Sequence, residues 1–280
     1  MDNYFVSSCK RVKDWICRQF GQKEKKTVHH KKFADGGEVI VWETGRAGEE
    51  AASYENLFLR KEIAGFRTNI RREQSCSIKS LTRDYLYKQL LSSGEYTFDH
   101  MLVIKDPYGE APLTALALFI LEEPACVRVT TKGNLKETDF VTELPKKKEH
   151  RVPILGMYAE KANDIVIEIL DDEGNCVKSH TFTIRTKRLP KSLRNVITVN
   201  KRSDKPAYSN IMINGGVKIH TCVFDIEGEI RYYLSRKPRG YGIFPLSDGH
   251  FFYMEKYISV PSYSNPQTVE SYDMDYFGRV

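Results

Sequence analysis

Much of what would mark a chemistry is missing from this sequence. There is no Cys-x-x-Cys pair. Cys9, Cys17, Cys76, Cys126, Cys176 and Cys222 lie far apart, with no histidine pair at zinc spacing. Such scatter suits reduced thiols in a cytoplasmic protein better than a disulfide framework, although spacing alone leaves connectivity open. No G-x-x-x-x-G-K and no post-strand G-x-G-x-x-G occurs, which argues against a nucleotide-phosphate loop. No apolar stretch approaches bilayer length, so no membrane span is expected. After Met1 the chain is mixed and charged, without the apolar core of a secretory leader, and the expected location is cytoplasmic. A strong excess of one charge is also lacking. Lys and Arg number 43 against 37 Asp and Glu, a mild surplus of +6 spread along the chain, which argues against a nucleic-acid partner.

What is present describes a folded, β-rich protein. At 41% hydrophobic and 29% charged, the 280 residues can fill a core, and 16 Tyr with 14 Phe lean towards strands. Asp106-Pro107-Tyr108-Gly109-Glu110-Ala111-Pro112 organises the rest. The apolar run Met101–Ile104 leads in and Leu113–Ile120 leads out. Pro107 fixes its own φ and should push Asp106 towards extended geometry, while Gly109 tolerates positive φ. The segment reads as strand, stiff corner, strand.

Upstream, residues 1–94 read as a partly helical extension. Residues 2–20 fit an amphipathic helix with Phe5, Val6, Val12, Trp15, Ile16 and Phe20 on one side and Lys10, Arg11, Lys13 and Arg18 around it. It could lie on a membrane surface or partner, or dock on its own protein. His29 and His30 could hold a metal, but adjacent residues face different ways and no acid or Cys accompanies them, so a solvated basic loop is the alternative. A short strand covers Glu38–Trp42, and helical patterns cover 49–65 and 80–93. In the second, Leu81, Tyr85, Leu86 and Leu90 share a side, Ser80 or Thr82 caps and Gly94 stops.

From 95 to 190 short runs alternate with turns. The predicted strands are Phe98–Ile104, Ala115–Leu121, Ala125–Thr131, Asp139–Thr142, His150–Leu155, Asp164–Leu170 and Cys176–Thr186. Seven strands in this span predict two antiparallel sheets packed as an immunoglobulin- or fibronectin-III-like β-sandwich. Asp171-Asp172-Glu173-Gly174-Asn175 reads as a hairpin turn. Its acids lack the ordering of a calcium loop. Lys146-Lys147-Lys148 blunts a sheet edge. His150 invites a role as a base, yet no Ser, Cys or acid is placed to support one.

Residues 190–208 form a polar linker, and 205–280 bring another rhythm. Strands are expected at Val217–Phe224, Glu229–Leu234, Gly240–Leu246, His250–Met254 and Ser271–Asp275. Phe224–Ile230 resembles Tyr272–Asp275 followed by Gly278-Arg279-Val280, a spacing near that of a propeller blade. On this reading the tail is about one blade of a β-propeller, incomplete at Val280. His220 and His250 fall in strands and read as wall or surface residues.

Three blocks carry a family resemblance: "DPYGEAPLTALALF", "EHRVPILGMYAEKANDIVIEILDDEGN", and the set "FDIEGEIRYYL", "FPLSDGHFFY" and "YDMDYFGRV". They resemble the arylsulfate sulfotransferases, over about residues 80–280. The resemblance implies a β-sandwich followed by a propeller, and transfer of a sulfuryl group from a phenolic sulfate ester to a phenol acceptor. A histidine on later blades carries the group, and no nucleotide donor is used. None of the family's catalytic positions matches a residue here, so no catalytic, cofactor-binding or metal site is assigned. Donor and acceptor phenols are partners of the full-length enzyme only. The alternative reading is a non-catalytic sandwich module for interaction or homodimerisation.

Overall fold

A computed structural model of the protein describes residues 28–33, 36–54, 72–201, 210–213, 220–235, 243–246, 250–258 and 267–279. The expected helix over 2–20 and the turn at Ser247-Asp248-Gly249 lie outside these residues.

The first sheet has seven strands. They are β1 (Val28–Lys32), β2 (Glu38–Trp42), β3 (His100–Lys105), β4 (Ala115–Thr131), β5 (Phe140–Ile154), β6 (Ala162–Leu170) and β7 (Cys176–Arg185). The order is β1-β2-β3-β4-β6-β7, with β5 on the other side of β4. β2 and β3 are parallel, and all other neighbours are antiparallel. Two helices, α1 (Thr44–Ala52) and α2 (Arg72–Ser92), lie between β2 and β3 in the chain, as a parallel connection requires. The sheet curls into a nearly closed barrel, the Ig-like architecture read from the sequence.

Two predicted boundaries merge. Ala115–Leu121 and Ala125–Thr131 are one strand, β4, and Asp139–Thr142 and His150–Leu155 are parts of one strand, β5. Glu122-Glu123-Pro124 read as a turn because Pro and charges punctuate. Instead the register shifts there and the ribbon bends without breaking. Below the bend β4 pairs with β3, and beyond it with β6, while β5 runs along its other side throughout. A single strand therefore serves both halves of the sandwich.

The extension also contributes more than expected. β1 and β2 belong to the sheet, and α1 and α2 cover its outer face. Ile40, Trp42, Leu102, Ile104, Leu116 and Leu118 on that face pack against Ala47, Ala51, Leu86, Tyr87 and Leu91. The opposite faces of the same strands, with Val39, Val41, Met101, Val103, Ala115 and Ala117, join Val127, Val129, Ile165, Ile167, Phe182 and Ile184 in the main core. Burial on both faces explains the unbroken apolar runs Met101–Ile104 and Ala115–Ile120. α2 begins well before residue 80, so Thr82 is no cap but bonds back to the Lys79 carbonyl. Leu81 is exposed, and Leu86, Tyr87 and Leu91 are the buried set. Gly94 closes the helix with φ of 72°.

Two three-stranded antiparallel sheets follow: β8 (Asn210–Ile213), β9 (Cys222–Asp225) and β10 (Ile230–Tyr233), then β11 (Ile243–Pro245), β12 (Phe251–Ile258) and β13 (Gln267–Met274). All five predicted tail strands have counterparts, β9 to β13, with the expected turn between β9 and β10. β12 and β13 are longer than expected, and β8 was not foreseen in the polar 190–208 surroundings.

Candidate functional site

The tail meets the sandwich at the Asp106–Pro112 corner. Asp106 is not extended: its φ is 44°. Its carboxylate accepts from the Ala111 amide at 3.0 Å, and its carbonyl accepts from Gly109 at 3.0 Å. Local bonding of this kind lets Asp occupy the left-handed region despite the following proline. The corner is fastened to α2, because the Pro107 carbonyl accepts from the Tyr87 hydroxyl and, at 2.6 Å, from Arg83.

Two turns of the tail press on the Ig-like domain and α2, and they are built alike. Asp225-Ile226-Glu227-Gly228-Glu229 joins β9 to β10. Asp225 Oδ1 accepts from the amides of Glu227 (3.0 Å) and Glu229 (3.1 Å). Asp275-Tyr276-Phe277-Gly278-Arg279 follows β13, and Asp275 Oδ1 accepts from Phe277 (2.9 Å) and Arg279 (3.0 Å). In each the glycine takes positive φ, 80° and 77°. The repeat seen in the sequence is therefore real at the level of the turn, but Asp275, not Asp273, is the counterpart of Asp225. The hairpin at Asp171 uses the same bonds, its carboxylate accepting from Glu173 and Asn175. That employment accounts for Asp171 at the start of the turn.

The second carboxylate oxygen of each tail turn holds an arginine. Asp225 Oδ2 accepts from Arg231 Nη1 at 3.1 Å, and both side chains are essentially solvent-free, at 0% and 1%. Arg231 also donates to the carbonyls of Gly156 (2.7 Å) and Thr138 (2.8 Å) and to the Tyr158 hydroxyl (3.0 Å). Its guanidinium lies 3.9 Å above the Tyr158 ring, and Tyr158 in turn donates to Asp225 at 3.0 Å. The charge is thus balanced by Asp225, and Nε and Nη1 are hydrogen-bonded while Nη2 is buried without a partner among the described residues. Gly156 is required here: its φ is 73°, and a Cβ would sit 2.7 Å from Phe140.

Arg279 makes the second clamp. It donates to Asp275 at 3.0 Å and to both oxygens of Asp84 on α2, at 2.9 and 2.8 Å. Asp84 also accepts from Tyr108 (2.6 Å) and Arg151 (2.8 Å). Burial alone would raise the Asp84 pKa, but the bonds from Tyr108 and Arg151 and the Arg279 charge outweigh it and hold it below the ordinary carboxylate range. Asp275 goes the other way, raised by burial against the pull of Arg279. Phe277 enters the cluster beneath α1 and α2, and the Ser235 amide donates to Glu110 at 2.8 Å. Helix, corner and both tail sheets converge here.

Sequence reasoning picked out the corner and the turns but missed the arginines. Arg231 was not singled out, because nothing local distinguishes it. Its signal is the sharing of one face with Asp225 across a hairpin.

The histidines are placed structurally. His150 is buried against Phe119 and hydrogen-bonded at 2.8 Å to the Lys147 carbonyl, with burial lowering its pKa. His220 contacts the Leu234 carbonyl at 2.8 Å, and His250 contacts Asp273 at 2.8 Å. His29 and His30 approach Glu43 and Glu38 separately. Among the described residues no cluster of metal-ligating side chains occurs. His180, which the sequence did not single out, stacks between Phe33 and Phe98 and meets Asp99 at 2.8 Å.

An immunoglobulin-like β-domain with further sheets clamped to one end is the class this architecture defines. Residues 102–187 match the family model described as the arylsulfotransferase Ig-like domain. Residues 102–187 are thus similar to the Ig-like N-terminal domain of that family. No curated protein matches the chain.

Proposed function

We propose that this chain is the N-terminal part of an arylsulfate sulfotransferase and that its role is scaffolding: the Ig-like domain orients the sheets that follow it. The observation that carries this reading is Arg231, which ties the β9–β10 turn to two carbonyls and a tyrosine of the sandwich in a solvent-free setting. A spacer between independent domains needs no such bond network. Arg279 supports the same reading at a second point.

In the complete enzyme a histidine outside these residues would attack the sulfur of the aryl sulfate. The S–O bond breaks with departure of the phenolate, and a second phenol then takes the group from the histidine. The seven histidines here have structural partners or neighbours, which supports their playing no part in that step. Purified chain mixed with 4-nitrophenyl sulfate and phenol is expected to release no nitrophenolate above the buffer blank. Release above the blank that is lost on a histidine substitution refutes the scaffolding role. A cytoplasmic location and homodimerisation through the sandwich belong to the same proposal, and light scattering across a concentration series tests the dimer.

A further inference from the structure

The curled sheet stops short of closing. β1 and β7 are its two ends, and among the described residues no strand pairs with the outer edge of either. A groove of about 440 Å³ lies at this opening, lined among others by His29, Lys31, Lys105, Arg185 and Lys187, with Val41 and Ile184 as apolar floor. One carboxylate, Glu43, is present, engaged by Lys105 at 2.6 Å.

The backbone hydrogen bonds fix which groups face the opening. Asp164 is opposite Thr183, yet the Asp164 carbonyl accepts from Lys132, on the β4 side. That pair is therefore a non-bonded one, and the N–H and C=O of Thr183 point away from β6. By alternation those of Thr181 and Arg185 do so as well. Lys31 confirms the direction, since its ammonium donates to the Thr183 carbonyl from across the gap. On the other side, the Phe33 amide donates to Gly37, which makes the odd residues of β1 the ones bonded to β2. The backbone groups of His30 and Lys32 then face outward.

We propose that this opening binds an extended acidic peptide segment of another protein, which adds as a strand along the Thr181–Arg185 edge and places its carboxylates among Lys31, Lys105, Arg185 and Lys187. Three observations converge on this occupant. Among the described residues the edge offers outward backbone donors and acceptors at strand spacing with no strand on them, only the Thr183 carbonyl being taken, by the Lys31 side chain that an added strand would displace. The lining carries cations on both faces of the sheet, so a partner of the opposite sign is favoured whichever way its side chains alternate. The Lys31 ammonium is held below its ordinary pKa by burial and by the Lys105 charge, so a nearby carboxylate would relieve it.

The test uses the full chain and a dye-labelled peptide alternating glutamate and valine, with its lysine–valine counterpart as control, followed by fluorescence anisotropy. The acidic peptide should bind saturably, the basic one should not, and raising salt from about 50 to about 300 mM should weaken binding. Lys31→Glu with Arg185→Glu should weaken it at least about tenfold. Thr183→Pro removes an outward N–H at an edge position where proline is tolerated, and should abolish binding with the circular dichroism unchanged. Amide exchange at Thr183 and Arg185 should slow when peptide is added. The proposal is overturned by absent or charge-independent binding. Unchanged binding to a folded Thr183→Pro chain overturns it too, leaving only diffuse electrostatics. Amides already protected in the free chain would show the edge to be filled from within, which equally sinks it.

Discussion

Arg231→Met keeps the stem of the side chain and deletes its charge and donors. Four acceptors lose a bond: the carbonyls of Gly156 and Thr138, the Tyr158 hydroxyl and Asp225 Oδ2. Asp225, fully buried, is left as an uncompensated carboxylate holding only Tyr158 at that oxygen. Removing one partner of such a pair costs about 3–5 kcal/mol, a large share of the roughly 5–15 kcal/mol that stabilises a domain. Urea unfolding by far-UV circular dichroism measures it. Arg231→Lys should recover little, because the acceptors are served from two separate nitrogens, Nε and Nη1, and one ammonium cannot occupy both places. The sharper check is Arg231→Met combined with Asp225→Asn. The amide oxygen can still accept from Glu227 and Glu229, and the stranded charge is gone, so the pair should lose less than the sum of the singles. A loss under about 1 kcal/mol for Arg231→Met, well short of the buried-pair range, or strict additivity in the double variant, would refute the claim that this pair holds the tail.

Further expectations concern the corner and the core. Asp84 is depressed, so its contribution is complete above the unfolded carboxylate value of about 3.9 and is lost as pH falls through the folded value. Asp84→Asn should therefore lower stability at neutral pH and flatten the acid limb of a stability–pH curve. Asp275 is raised, so the sign reverses: its contribution is present below about 3.9 and lost as pH rises through the folded value, and Asp275→Asn should remove a decline on that side. Gly156→Ala should cost at least about 1–3 kcal/mol, from positive φ and from the contact with Phe140, readable as a lowered urea midpoint. The Cys222 thiol is buried and pushed up to about 11, so native-state alkylation near neutral pH should modify exposed Cys176 well before Cys222.

The sequence disclosed the parts of this fold that are written locally. Gly94 after a helical pattern, Asp171–Asn175 between two alternating runs, and Asp225–Gly228 all fell where expected, because turn chemistry depends on neighbours in the chain. What escaped depends on residues far apart. Whether Glu122-Glu123-Pro124 turns the chain or only bends it is decided by β5 running alongside. Whether β1 and β2 stand apart or extend the sheet is decided by β3, which follows two helices later. The site divides in the same manner. Asp225 was visible as a turn residue, whereas Asp275 read as a strand end and Arg231 acquires its role from carbonyls at 138 and 156.

The bent ribbon of β4 and β5 bears on how the domain comes apart. Since β4 exchanges β3 for β6 midway while keeping β5, neither half of the sandwich possesses a private set of strands. Thermal or mechanical loosening of one half pulls on the same hairpin that closes the other. The domain should melt in a single step, and a nick at Glu122–Pro124 would uncouple its halves.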